Sequence, residues 1–277
     1  MNKAATLKSI QKRQWHWALS RGIAVVQNGR VNNLEDNFYS PLHAKTKTEI
    51  TEGDGGELGT PENVGKLYSL WSSSALACNV FDYWRERTLA PLLRALSVQD
   101  SAYEQPEFEQ KFHTGVRSAR ANLDVVFRAT DSACLPIAVE SKFTEPYQYG
   151  EKGCLRPSYF QKPQTWDTLP SCRMAAESLT GSKRFECLDA GQLLKHILGL
   201  TRTFGQGRFI LLYLWYDVEG SEASDKHRAE VIEFSSLISA EVQFRGETYQ
   251  RFFNRLAPDV VGTPYETYLR SRYFEVS

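Results

Sequence analysis

Charge of one sign is what this chain lacks: 33 basic and 33 acidic side chains cancel across 277 residues. Overall charge therefore selects no partner. Any nucleic-acid contact has to come from a local basic patch, because phosphate neutralisation supplies much of that affinity. Long apolar runs are missing too. No stretch approaches the ~20 residues that span a bilayer, so no membrane association is expected. The opening stretch, Met1 to Trp17, carries Lys3, Lys8, Lys12 and Arg13 without an apolar centre and does not read as a secretory leader. Cysteine is sparse: Cys78, Cys134, Cys154, Cys172 and Cys187 are odd in number, scattered, and never in C-x-x-C spacing. That argues against a disulfide framework and fits a reducing, cytoplasmic setting. A zinc or iron–sulfur site using Cys154, Cys172 and Cys187 stays open beside the simpler reading of ordinary thiols. No internal repeat is present.

What is present is apolar and aromatic material, 42% and 12% of residues, enough to bury a sizeable core and to exclude disorder over most of the length. The first fifty residues show no sustained period beyond a short helix near Lys8 to Leu19. Gly53, Asp54, Gly55, Gly56, Gly59 and Pro61 then mark a mobile loop. From Ser72 the spacing of Leu76, Val80, Phe81, Trp84 and Leu89 predicts a helix that Pro91 ends or kinks. Asn79, Tyr83 and Glu86 fall on its polar side, read as solvated. Three strands follow, over 107–113, 122–129 and 137–143, as a meander. Residues 145–187 form an aromatic, Pro- and Gly-punctuated insertion with helical character near Met174 to Leu179. A helix over 190–203, with Asp189 as its N-cap, precedes the apolar strand at 208–218. A helix over 222–238, a short strand at 241–245 and C-terminal helices complete the chain. The order predicts an α/β domain with one mixed sheet flanked by helices, over 66–277, preceded by an extension and loop over 1–65.

The sharpest chemical signal is the segment NLDVVFRATDSACLPIAVESKF. With the turn centred on Ser132, Asp124 lies opposite Glu140, and directly paired positions have their Cβ atoms about 5 Å apart. Lys142, two residues on, points to the same face. The other face carries Leu123, Val125, Phe127, Ile137, Val139 and Phe143. Hard cations such as magnesium prefer carboxylate oxygens. A metal on Asp124 and Glu140 would activate water, and Lys142 would orient it or stabilise charge on a phosphate. Glu and Lys two apart on a strand are equally what a solvated face with a weak ion pair shows. Val126 and Ala138 share that face, which favours a strand covered on both sides, where an unpaired carboxylate is costly.

The order of Asp124, then Glu140-Ser141-Lys142, resembles the D…(D/E)xK motif of the PD-(D/E)XK nuclease superfamily, whose members include restriction endonucleases, phage exonucleases and junction resolvases. The stretches LWSSSALACNVFDYW, NLDVVF, AVESKFTEPY and LLKHILGL are similar to a bacterial family of restriction-endonuclease-like proteins, over about 53–217. Leu123 stands where the motif has its proline. The resemblance implies a restriction-endonuclease-like core and hydrolysis of phosphodiester bonds, in DNA, with Mg2+ or Mn2+. It makes Asp124 and Glu140 metal ligands and Lys142 the catalytic lysine.

Weaker candidates surround this set. Glu109 would add a third carboxylate or be an exposed strand acid. Gln192, Lys195 and His196 share one helix face. Related nucleases bring a polar residue, often Gln, from this helix, so Gln192 joins the catalytic set. Lys195 would contact phosphate, and His196 reads as structural. Arg117, Arg120 and Arg128, with Lys111, Lys183, Arg184, Arg202 and Arg208, supply cations for nucleic acid. Tyr147, Tyr149, Tyr159 and Trp166 would stack on bases or fill a core. A homodimer is compatible with all of this. Two rival readings remain open: a nucleic-acid-binding or scaffold protein that keeps the fold without cleaving, and a metal-free hydrolase using Asp124 and Glu140 as an acid/base pair.

Overall fold

The computed structural model describes residues 1–26, 28–53, 56–60, 63–98, 102–150, 153–180 and 185–275. Asp54, Gly55 and Pro61 of the expected loop, and Lys183 and Arg184 of the expected basic set, lie outside the described residues.

One five-stranded sheet organises the chain: β1 Glu107–His113, β2 Arg120–Phe127, β3 Ile137–Lys142, β4 Ile210–Trp215 and β5 Gln243–Thr248, side by side in chain order. The pairs β1–β2 and β2–β3 are antiparallel, while β3–β4 and β4–β5 are parallel. Every residue of β4 is buried. Such a continuous apolar run belongs to a strand covered on both faces.

One face of the sheet is covered by α1 (Lys3–Ser20), α3 (Ser73–Phe81), α4 (Ala90–Ala95), α8 (Tyr249–Val260) and α9 (Pro264–Leu269), with α2 (Ala44–Glu52) against β1. The other is covered by α5 (Pro170–Thr180), α6 (Ala190–Phe204) and α7 (Glu222–Ile238). Helix starts follow side-chain caps: Asn2 for α1, Ser72 for α3, Asp189 for α6 and Ser221 for α7. Ile10, Trp17, Val31, Phe38 and Ile50, from the first fifty residues, pack into the same core as β2 and β3.

Three local expectations are corrected. Pro91 does not end a helix. The helix from Ser73 stops at Phe81, and Pro91 sits in the first turn of α4, where its missing N–H is harmless. Asn79 is buried rather than solvated, and bonds Tyr39, Asn37 and the hydroxyls of Tyr268 and Tyr273. Leu123 does not share a face with Val125 and Phe127, but packs with Phe112 and Ala121 against the α6 side. The register is the same on either side of the unpaired Glu109, so the strands change face without slipping. Glu109, with φ +51, marks the change on β1. A non-glycine residue in that region carries strain of ~1–3 kcal/mol.

Candidate active site

The hairpin register is the one the turn centre predicts. Val125 pairs with Val139 and Val126 with Ala138, which brings Asp124 opposite Glu140. On the other side of β2, Phe108 pairs with Val125 and Gln110 with Leu123, so Glu109 and Asp124, which do not themselves pair, fall at the same level of the sheet. Three acids thus run in a row across β1, β2 and β3. The change of face falls on this row, where strand irregularity re-aims side chains.

Each acid is held differently. Asp124 accepts the Ser141 amide at 2.6 Å. Glu109 accepts from the Asn122 side-chain amide, and its carboxyl is pushed up to about 7, first by burial and then by the charge of Glu57. Asp124 is raised well above the usual carboxylate range, by burial and then by Glu140 and Glu109. Glu140 is 1% exposed and moves the other way. Burial alone would raise it, but Lys142 and His196 outweigh that and hold it at about 2. Lys142 is raised in turn: burial opposes its charge, and Glu140, Glu145 and Asp124 overcome the burial.

Glu140 is the centre of the cluster. One oxygen contacts Lys142 Nζ, and the other lies 2.9 Å from His196 Nε2. The imidazole is not aligned for a good hydrogen bond, leaving Glu140 Oε2 and both His196 nitrogens buried without one. His196, read from sequence as a structural histidine, therefore lies against the central acid of the candidate site. The signal was its position four residues from Gln192 on the face turned to the sheet. Glu57 was missed altogether. It is 6% exposed, pairs with Lys66 at 3.3 Å, and comes from the glycine-rich stretch, where no periodicity gave it a place.

Gln192 makes no hydrogen bond to these acids among the described residues. With Lys195, Arg117 and Arg120 it lines a neighbouring cavity of about 830 Å³. Arg128 is elsewhere, paired with Glu107 at 2.7 Å and lining a separate cavity with Ser132 and Arg208. Lys111 donates to the Glu52 carbonyl, and Arg202 lines a third cavity with Lys162. Tyr147, Tyr159 and Trp166 are core residues, and Tyr149 is exposed. Cys154, Cys172 and Cys187 are free thiols. Among the described residues, no group of three or more His, Cys, Asp or Glu is placed to hold a metal ion, and no helix is long and apolar enough to cross a membrane.

A mixed central sheet flanked by helices, with an Asp and a Glu-x-Lys on adjacent strands, defines the PD-(D/E)XK-like class. A family model described as Restriction Endonuclease associating with ARP matches residues 7–274, and the chain belongs to that family. Among curated proteins and solved structures, none matches the chain.

Proposed function

We propose that this protein is a nuclease that hydrolyses phosphodiester bonds in DNA using magnesium or manganese. The observation that carries this reading is the row of Glu109, Asp124 and Glu140 across three neighbouring strands, with Lys142 against the last of them. Asp124 and Glu140 would hold the cation, and Glu109, expected from sequence as a further ligand, would stay outside its shell as a neighbouring charge.

The residues fit such an ion. Oxygen donors suit a hard cation, the crowded carboxyls of Asp124 and Glu109 would be relieved by it, and Glu140 Oε2 is buried without a good hydrogen bond. A ready-made cage of three side chains is not required. Magnesium commonly binds through one or two carboxylates, keeps waters, and takes its remaining ligands from substrate phosphates. When bound, the ion supplies an activated water and neutralises phosphate charge. The chain supplies the rest. The Ser141 amide orients Asp124, the His196 ring packs against Glu140 from the helix side, and Lys142 stabilises charge developing on the phosphate. The family description names an association with ARP. The setting we propose is restriction or phage defence beside such a partner.

One observation favours a second reading, a nucleic-acid-binding or scaffold protein of this fold that does not cleave. Glu140 is already paired with the Lys142 ammonium and lies against the His196 ring. The two readings separate when purified protein meets linear, circular and single-stranded DNA with magnesium, manganese or chelator. The nuclease cleaves with either metal, stops with chelator, and is abolished by Glu140→Gln. Full-length protein that binds DNA and leaves it intact with both metals supports the scaffold. Cleavage that survives chelation refutes the metal assignment.

A further inference from the structure

The cavity lined by Gln192 and Lys195 gathers more positive than negative charge. It lies between the turn leading into β2, the loop at 153–159 and the first turns of α6. Arg117, Arg120 and Arg156 reach it as exposed side chains, with Lys195 half-buried. Among the described residues, none of the four has an ion-pair partner. Among the described residues the one lining acid is Asp189, whose Oδ1 accepts the Gln192 backbone amide as the helix cap and whose carboxylate offsets one of the four cations. In a chain whose charges balance at 33 to 33, four cations facing a single carboxylate on one concave surface set up a positive local field. Guanidinium groups present forked donors that match phosphate oxygens and are weakly hydrated, so they release water readily on contact.

Its position ties the cavity to the acids. Lys195 adjoins His196, whose ring lies against Glu140. Arg120 begins β2, four residues before Asp124, about 13 Å along the strand at ~3.3 Å per residue. Because β2 and β3 are antiparallel, Arg120 sits at the same end of the sheet as Lys142.

We infer that this cavity is a phosphate subsite, in which Arg117, Arg120, Arg156 and Lys195 hold backbone phosphates of the DNA next to the scissile one. The inference rests on the nuclease reading for its substrate, but its test does not need cleavage. Fluorescence anisotropy of a labelled oligonucleotide is measured in chelator across a salt series, for wild type, the double variant Arg120→Ala/Arg156→Ala, and Arg94→Ala. Arg94 pairs with Asp259 on α8 and serves as the control. Wild type binds, and the double variant lowers the slope of log affinity against log salt by about 2 while Arg94→Ala leaves it unchanged. A double variant with the wild-type slope, or a wild type that does not bind, overturns the subsite. Cleavage with magnesium is read in parallel. Cleavage with an unchanged slope removes the subsite alone. A reduced slope with no cleavage by wild type keeps the subsite and removes the nuclease reading.

Discussion

At the scale of single residues, Glu140 sits between a lysine and a histidine, almost wholly out of water. Removing one partner of such a buried pair leaves the other uncompensated, which is more damaging than the pair is stabilising. Lys142→Ala is therefore expected to slow DNA cleavage by ~10²-fold or more, as loss of a transition-state donor does, and to lower the melting temperature as well. Lys142→Met, which keeps the side-chain volume, separates the two effects. It should recover part of the stability and none of the rate, measured by thermal denaturation and single-turnover cleavage. The raised acids make a different prediction. Glu109 titrates at about 7 in the folded chain, against 4.5 unfolded, and Asp124 is raised in the same sense. Between those values the folded state holds protons that the unfolded state has released, so stability falls as pH rises. Glu140 is lowered to about 2, so its contribution is complete above 4.5 and adds no slope there. Without metal, the melting temperature should fall from pH 5 to pH 8. Glu109→Gln should reduce that fall, and a flat wild-type profile would contradict the site's electrostatics.

At the scale of elements, α6 is the part that sets the site from above the sheet. Its cap at Asp189 and its apolar face were legible from sequence, as were α7 over 222–238, β1 over 107–113 and the hairpin register. Local rules of capping, period and turn symmetry govern all of these. The face change at Asp124 was not legible, because it depends on a left-handed residue at Glu109 that no strand pattern announces. The choice between Gln192 and His196 was not legible either. They lie one turn apart on α6, and only the height at which the helix crosses the sheet decides which meets Glu140. Gly199 fixes that height. A Cβ there would come within 2.9 Å of the Phe112 Cβ and 3.1 Å of the Ala121 Cβ. Gly199→Ala should lift α6, cost about 1–3 kcal/mol by overpacking, and reduce cleavage by withdrawing His196 from Glu140. Chemical denaturation and cleavage rate check both. Unchanged stability would show that the helix has room to spare.

At the scale of the whole molecule, the ends of the chain are joined by one buried cation. Arg272 has no exposed surface. Its guanidinium bonds Gln14 Oε1, Asn37, the Leu70 carbonyl and the Tyr268 hydroxyl, and its carbon lies 4.2 Å from the Trp17 ring centre. Gln14 is 258 residues away in sequence, a separation at which no local pattern signals a partner. This is why the first fifty residues looked irregular and unattached. Arg272→Met should strip these bonds and lower stability by on the order of 3 kcal/mol, as a single shifted unfolding transition. A separate early transition for the N-terminal segment would show that it is not part of the common core.

The central claim concerns a divalent ion on Asp124 and Glu140, and its most direct test is calorimetric titration with Mn2+ at pH 8. Wild-type protein is expected to bind Mn2+ at a single saturable site, with Asp124→Asn and Glu140→Gln each abolishing it. No binding by folded wild-type protein, or binding of equal strength in both variants, would contradict the account.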